Sequence, residues 1–548
     1  MEPSRSNSSL LANLLLSAGS LALTCLLLAL LEGGLRVVGL GAPDASGTSR
    51  LKYQQIYPPI LVPGERPDGT LIWHTADQRL PFQSILREKT PATLRVFTFG
   101  GSATAGLGYS PNVTFARHLE RMLRRAHPDR RVELVNLGIV ALASRQVKLL
   151  VADVCLRFEP DLIAVYSGNN EFLEIHAEKY AAAQASPLSA VAEVLMDTNL
   201  YRLVNRAARG PQRAPPLSEQ DFSQDDLRLT QDAIIKEVSM APQEIAAVVN
   251  QYEANLEEIT RVARETQTPL ILMSVGSNWK WRGRLGLPAD WLEELLEEAS
   301  VGPGAYRRAL PVLEEKIASS APAERHKWLF RAAVASEALG DHAAARRQYR
   351  AAMNQDPHLR RALDAMNDRV REVAVRNDAI FLDTVEVLEE SAEHGIVGFG
   401  EYYDYVHFTP RGAVLTAAAI FDTITANDLL PSAREFDSST YIRERLGRLA
   451  RLTEDELEVT EWMGLGFDEG LIHDRDLWKY DRMLKELDRH LDESPEDVRA
   501  LVYRANSNFF RADGAESAAR DYEAALALGA DAAVVGSNLA RLRAERRP

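Results

Sequence analysis

Between residues 94 and 167 the chain alternates three short apolar runs with two stretches of helical period, and this alternation restricts the fold more than any other feature. The runs cover residues 94–99, 132–136 and 162–167, and the helical periods lie near 113–126 and 144–157. Runs that are apolar throughout, rather than at every second position, suit strands buried on both faces of a parallel sheet, whose crossovers are helices. Each run ends in turn chemistry: Gly100-Gly101-Ser102, then Asn136-Leu137-Gly138, then Gly168-Asn169-Asn170-Glu171. In open α/β sheets the carboxyl ends of the strands form the rim where ligands bind.

Ser102 is the candidate nucleophile on that rim. Gly100 and Gly101 permit the tight turn that lifts it above the strand end, and Phe115, Leu119, Met122 and Leu123 recur at helical spacing behind it. Other readings of a glycine-rich strand-to-helix turn fit less well. A P-loop needs Gly-Lys-Ser/Thr at the helix start, and a dinucleotide site wants an acid where this chain has Asn136-Leu137-Gly138. A backbone N–H of Gly138 and the Asn170 amide follow the carboxyl ends of strands on the same rim as Ser102, where they could converge on one oxygen.

The pattern resumes after a Pro- and Gly-containing insertion at residues 172–232, with a helix at 242–265 and a strand at 269–274. On the same rim come Asn278, Trp279 and Trp281, which with Tyr405 make either a substrate-pocket wall or a docking site for the next helix. From 285 to 360 the period is purely helical. Leu339-Gly340-Asp341, Ala345, Tyr349, Ala352 and Pro357 fall at tetratricopeptide offsets, and Phe509, Ala518, Tyr522 and Ala525 make a more degenerate copy near the end. Such helices need stacked neighbours to bury a core, and they offer a surface for a protein partner.

A last strand at 379–383 precedes Asp404-Tyr405-Val406-His407-Phe408-Thr409-Pro410-Arg411-Gly412. Thr409 caps, and Pro410 starts, a final Ala-rich helix. The three-residue spacing lets Asp404 hold the His407 imidazole while its other nitrogen reaches outward.

Composition sets the surroundings. At 548 residues the chain exceeds one ordinary domain, and 78 acidic against 63 basic residues, a formal charge of -15, argue against a nucleic-acid surface. Two cysteines, Cys25 and Cys155, give no disulfide framework or thiolate metal site. Residues 10–31 lack any charge and are long enough to cross a bilayer, so an uncleaved single-pass anchor is expected, while Arg5 on one side and Arg36, Arg50 and Lys52 on the other leave its orientation open. Residues 41–90 read as an extended linker of little periodicity.

Ser102, Gly138, Asn170 and Asp404-x-x-His407 occur in the order of the four blocks of SGNH (GDSL-type) hydrolases, which this chain resembles over roughly 94–275 and 360–430. The resemblance implies a flavodoxin-like three-layer α/β/α sandwich over residues 91–284 and 360–432, with a helical insertion at 285–359 and a helical C-terminal region at 433–548. It implies a triad of Ser102, His407 and Asp404, with Ser102 N–H, Gly138 N–H and the Asn170 side chain as the oxyanion hole. Gly101 and Glu171 depart from the family, where Asp is common at both positions. The implied activity is ester hydrolysis on a lipid or acylated glycan without cofactor, with the bulk of the chain outside the cytosol; an O-acyltransferase using the same serine is the first alternative, and a membrane-tethered scaffold with a vestigial site the second. No metal is called for, since no His-Glu-x-x-His is present.

Overall fold

The computed structural model describes residues 54–107, 114–184, 239–281, 303–455 and 494–530 almost without interruption, with shorter stretches between 19 and 40, at 198–204 and beyond 484. Five parallel strands form the central sheet: β4 (Thr93–Gly100), β5 (Arg131–Gly138), β6 (Leu162–Tyr166), β7 (Leu270–Met273) and β8 (Ile380–Leu382), in the spatial order β5-β4-β6-β7-β8. All eight residues of β4 and all five of β6 are buried, as expected of strands covered on both faces. Gly100 lies opposite both Gly138 and Tyr166 in register, so three strands end level and deliver their loops to one rim.

Helices cover both faces. α2 (Phe115–Ala126) packs against α11 (Pro410–Ala426) on one side, while α3 (Ser144–Arg157), α5 (Pro242–Glu265) and α9 (Asp364–Arg376) pack together on the other. The α2 positions spaced for a helix, Phe115, Leu119, Met122 and Leu123, are its buried face. A four-residue helix, α1 (Ser102–Ala105), succeeds β4 directly.

Residues 41–90 are not the extended linker that their weak periodicity suggests. They contain an antiparallel meander of β1 (Leu61–Glu65), β2 (Leu71–Thr75) and β3 (Ser84–Leu86). The strands are short, and Pro63 and Gly64 interrupt β1, which hides the signal. Pro63 is tolerated because β1 is an edge strand, and a Cβ at Gly64 would fall 2.6 Å from His74 Cδ2. Ile56, Ile60, Leu61, Leu80 and Ile85 join the main core.

The insertion described at residues 303–355 is helical throughout: α6 (Pro303–Ser319), α7 (Pro322–Ala338) and α8 (His342–Gln355). Gly340, at φ +81°, turns the chain, and Asp341 caps α8 by accepting from Ala344 N–H at 3.0 Å. Ala345, Tyr349 and Ala352 bury against Leu329, Phe330 and Ala333 within the same core as the sheet. Between 172 and 232 the insertion opens with a helix, α4 (Leu173–Gln184). Toward the C-terminus, beyond α12 (Ser438–Asp455), α13 (Val498–Phe509) and α14 (Ala515–Ala527) share a small cluster with Ala505, Ala518 and Tyr522. α10 (Thr384–Ser391) links β8 to the rim loops.

Candidate catalytic site

Two close backbone approaches place Ser102. A Cβ on Gly100 would stand 2.1 Å from Tyr166 O, and one on Gly138 would stand 2.2 Å from Ala105 N, so both positions must be glycine for β5 and β6 to end against the nucleophile helix. Ser102 is the first residue of α1, where backbone N–H groups have no intrahelical acceptor. It is buried, at 7% exposure.

Asp404 and His407 arrive on a closed loop. Tyr402 and Phe408 bridge, Tyr403 N–H donates to His407 O at 3.0 Å, and Thr409 N–H donates to Glu401 O at 2.9 Å. Thr409 caps α11 by accepting from Gly412 N–H at 3.1 Å. Asp404 Oδ1 accepts from the N–H groups of Val406 and His407 at 2.9 and 2.8 Å, which fixes its carboxylate. Its Oδ2 lies 2.6 Å from His407 Nδ1, and His407 Nε2 lies 2.7 Å from Ser102 Oγ. A carboxylate only accepts, so Nδ1 carries the proton and Nε2 is left to accept from the serine hydroxyl.

The three expected oxyanion donors are not equivalent. Asn170 Nδ2 donates one of its two protons to Leu142 O at 2.8 Å, which anchors the amide while leaving the second available. The Gly138 N–H is engaged by Asn136 Oδ1 at 3.0 Å and serves an oxyanion only by sharing that proton. Asn136 also donates to Thr104 O at 2.7 Å and is clamped by Gln83 through bonds of 2.8 and 2.9 Å. Gln83 belongs to the meander, so the segment read as a linker supports the rim.

The four residues weighed as a pocket wall divide into two pairs. Asn278 is fully buried and holds loops together, its N–H donating to Tyr405 O at 2.9 Å and its own O accepting from Arg361 at 2.7 Å. Trp279 packs in the main core, beneath the Arg350 guanidinium. Trp281 and Tyr405 do lie by the base: their rings are 6.1 Å apart, and Tyr405 meets the His407 ring edge-on at 5.8 Å. Tyr403, which no sequence pattern marks, stacks on the His407 ring at 5.7 Å and donates to Leu107 O at 2.7 Å, tying the His loop to the turn after α1.

Glu171 takes a structural part. Its carboxyl accepts from Ser144 N–H at 2.7 Å and Ser144 Oγ–H at 2.8 Å, joining the Asn170 loop to the start of α3. Burial pushes this carboxyl up to about 7, against the lowering effect of the Ser144 bonds.

No family model matches the chain, and no curated protein does. Among solved structures the chain is similar to a GDSL-like lipase from Bacteroides thetaiotaomicron at 12% identity, over 63% of this chain and 93% of that one, with a TM-score of 0.28. It is similar to an acetyl xylan esterase at 11% identity, over 60% and 100%, with a TM-score of 0.29. It is also similar to the acetylxylan esterase Axe2 from Geobacillus stearothermophilus at 15% identity, over 62% and 96%, with a TM-score of 0.27. At these scores the chemistry rests on the chain's own residues.

Proposed function

We propose that the chain is a serine esterase of the SGNH type, hydrolysing carboxylic esters through an acyl-enzyme. The observation that carries this reading is the unbroken hydrogen-bond line from Asp404 through His407 to Ser102, at 2.6 and 2.7 Å. A serine hydroxyl is a weak nucleophile at neutral pH, and a base within hydrogen-bond reach, itself oriented by a carboxylate, is what activates it. Ser102 Oγ attacks the ester carbonyl as its proton passes to His407 Nε2. The tetrahedral oxyanion faces Ser102 N–H and the second Asn170 amide proton, with Gly138 N–H shared from Asn136. Asp404 stabilises the imidazolium, which then protonates the departing alkoxide. Water, activated by His407, releases the acid and restores Ser102.

Fluorophosphonate labelling tests the site. The wild-type chain is expected to label at Ser102, and Ser102→Ala to lose both label and turnover. His407→Ala should be nearly as damaging and the double substitution little worse, because the two act as a unit. Full esterase activity in pure Ser102→Ala protein would refute the assignment. Product analysis with added sugar hydroxyls separates hydrolysis from acyl transfer, since both share the acyl-enzyme.

A membrane anchor at residues 10–31 completes the proposal. Most of that span lies outside the described residues, and among the described residues no helix is long and apolar enough to cross a membrane. Supporting the anchor, Leu23, Leu26, Leu27, Leu28, Leu30 and Leu31 lie in helix and are 46–65% exposed. Adjacent leucines exposed on every side of a helix call for an apolar surrounding.

A further inference from the structure

His326 is fully buried near the start of α7, yet among the described residues neither of its ring nitrogens has a hydrogen-bond partner. A buried polar group left unsatisfied costs about 1–3 kcal/mol, so a histidine with both nitrogens orphaned needs a reason to be there. The groups beside it supply one. Asp356, which ends α8, places Oδ1 at 3.8 Å from His326 Nε2, beyond hydrogen-bond reach, and at 3.1 Å from His358 Nδ1. The three ligand atoms all lie within 4.8 Å of one another, and the two imidazoles stand 6.0 Å apart at 65°.

We propose that His326, Asp356 and His358 bind a divalent transition metal, zinc foremost, which pins α7 to the segment that returns the chain to the sheet. Zinc ligands at about 2.1 Å in a tetrahedron stand roughly 3.4 Å apart, a value that the 3.1 and 3.8 Å edges already bracket. Small side-chain rotations close the third edge. Two imidazoles and a carboxylate are a donor set for zinc and its neighbours, whereas calcium and magnesium take oxygen. Three protein ligands leave the fourth position to water. For His358 to ligate through Nδ1, its ring proton sits on Nε2, so the neutral imidazole changes tautomer rather than charge.

The position matters because the segment just after Asp356 is tied to the rim. Pro357 O accepts from Met240 N–H at 3.0 Å, Leu359 O lies 2.6 Å from His176 Nε2, and Ala362 N–H donates to Asn169 Oδ1 at 3.0 Å. A metal at this point therefore anchors one end of a strap whose other end holds the residue next to Asn170. The ligands come from two ends of a helix hairpin, which is why no short motif marks them.

The test is zinc titration of the full, tag-free chain after chelator treatment, by calorimetry, with an X-ray absorption spectrum of the loaded protein. One equivalent is expected to bind at micromolar affinity or tighter, with nitrogen and oxygen neighbours including two imidazoles. His358→Gln, at a half-buried position where the fold is retained, and His326→Leu should each weaken binding at least tenfold. If His326→Leu fails to fold, His358→Gln decides alone. Absence of zinc binding by the folded wild-type chain, or equal affinity in His358→Gln, would overturn the site. Ester hydrolysis plays no part in the readout.

Discussion

A single methyl group at position 101 would separate the roles proposed for Ser102 and Asn170. A Cβ there would lie 2.2 Å from Asn170 Nδ2, at the tip of a side chain held by its bond to Leu142 O, and 3.1 Å from Leu142 O itself, so Gly101→Ala is expected to fold but to push the amide aside. Turnover should fall on the order of a hundredfold, the usual loss for one oxyanion donor, while fluorophosphonate still labels Ser102. Unchanged turnover would remove Asn170 from the mechanism. Glu171 gives a pH signature. Its carboxyl is raised from 4.5 to about 7 in the folded chain, so the folded state keeps a proton that the unfolded chain has lost. Its contribution to stability is full below about pH 4.5 and is lost as pH rises through about 7. Against Glu171→Gln, which does not titrate, the wild-type chain should lose at most about 3 kcal/mol across that window. Chemical denaturation at pH 4.5, 6 and 8 measures it, and a constant difference would contradict the assignment.

The meander is held to the sheet by a buried ion pair. Arg95 and Glu133 are 2% and 3% exposed and meet at 2.9 Å on β4 and β5. Arg95 also donates to Leu86 O and Phe158 O, each at 2.8 Å, and Glu133 accepts from Leu86 N–H at 2.8 Å, so β3 hangs on this pair. Removing one partner leaves an uncompensated buried charge, and Arg95→Leu is expected to cost about 3–5 kcal/mol. Arg95→Leu with Glu133→Leu should recover part of that loss. Urea melts of both variants check this, and a single variant within about 1 kcal/mol of wild type would show that the pair does not hold the meander. Because Gln83 of the meander clamps Asn136, the single variant should also lower turnover.

For the molecule as a whole, the anchor and the catalytic unit should be separable. Deleting the residues before 40 removes no catalytic group and is expected to give a soluble protein with wild-type turnover on a soluble ester. The full chain should resist carbonate extraction from membranes, because an uncharged apolar span has no favourable place in water. Release of the intact chain by carbonate would disprove the anchor. The Arg125–Glu444 pair and the bond of 2.9 Å between His118 and Tyr441 carry α12 onto α2, so truncation after about residue 432 should destabilise the sheet domain.

Local chemistry made the strand–turn–helix units, the glycines of the rim and the Asp404-x-x-His407 spacing legible in the amino-acid sequence, because each depends on residues only a few positions apart. Runs such as Val96 to Phe99, buried on both faces, announce a parallel strand whatever their partners, and Thr409-Pro410 announces a helix start. Tertiary structure alone decided which groups meet across long separations. The meander was invisible because its strands are only three to five residues long and are held by Arg95, Glu133 and Asn136 elsewhere in the chain. Trp279 entered the core while Trp281 reached the His loop, a division that two neighbouring tryptophans cannot reveal before the loop is folded. Gln83 came to clamp Asn136, and His326 came beside Asp356 and His358, because such meetings are set by distances in space, which sequence spacing constrains only within a single element.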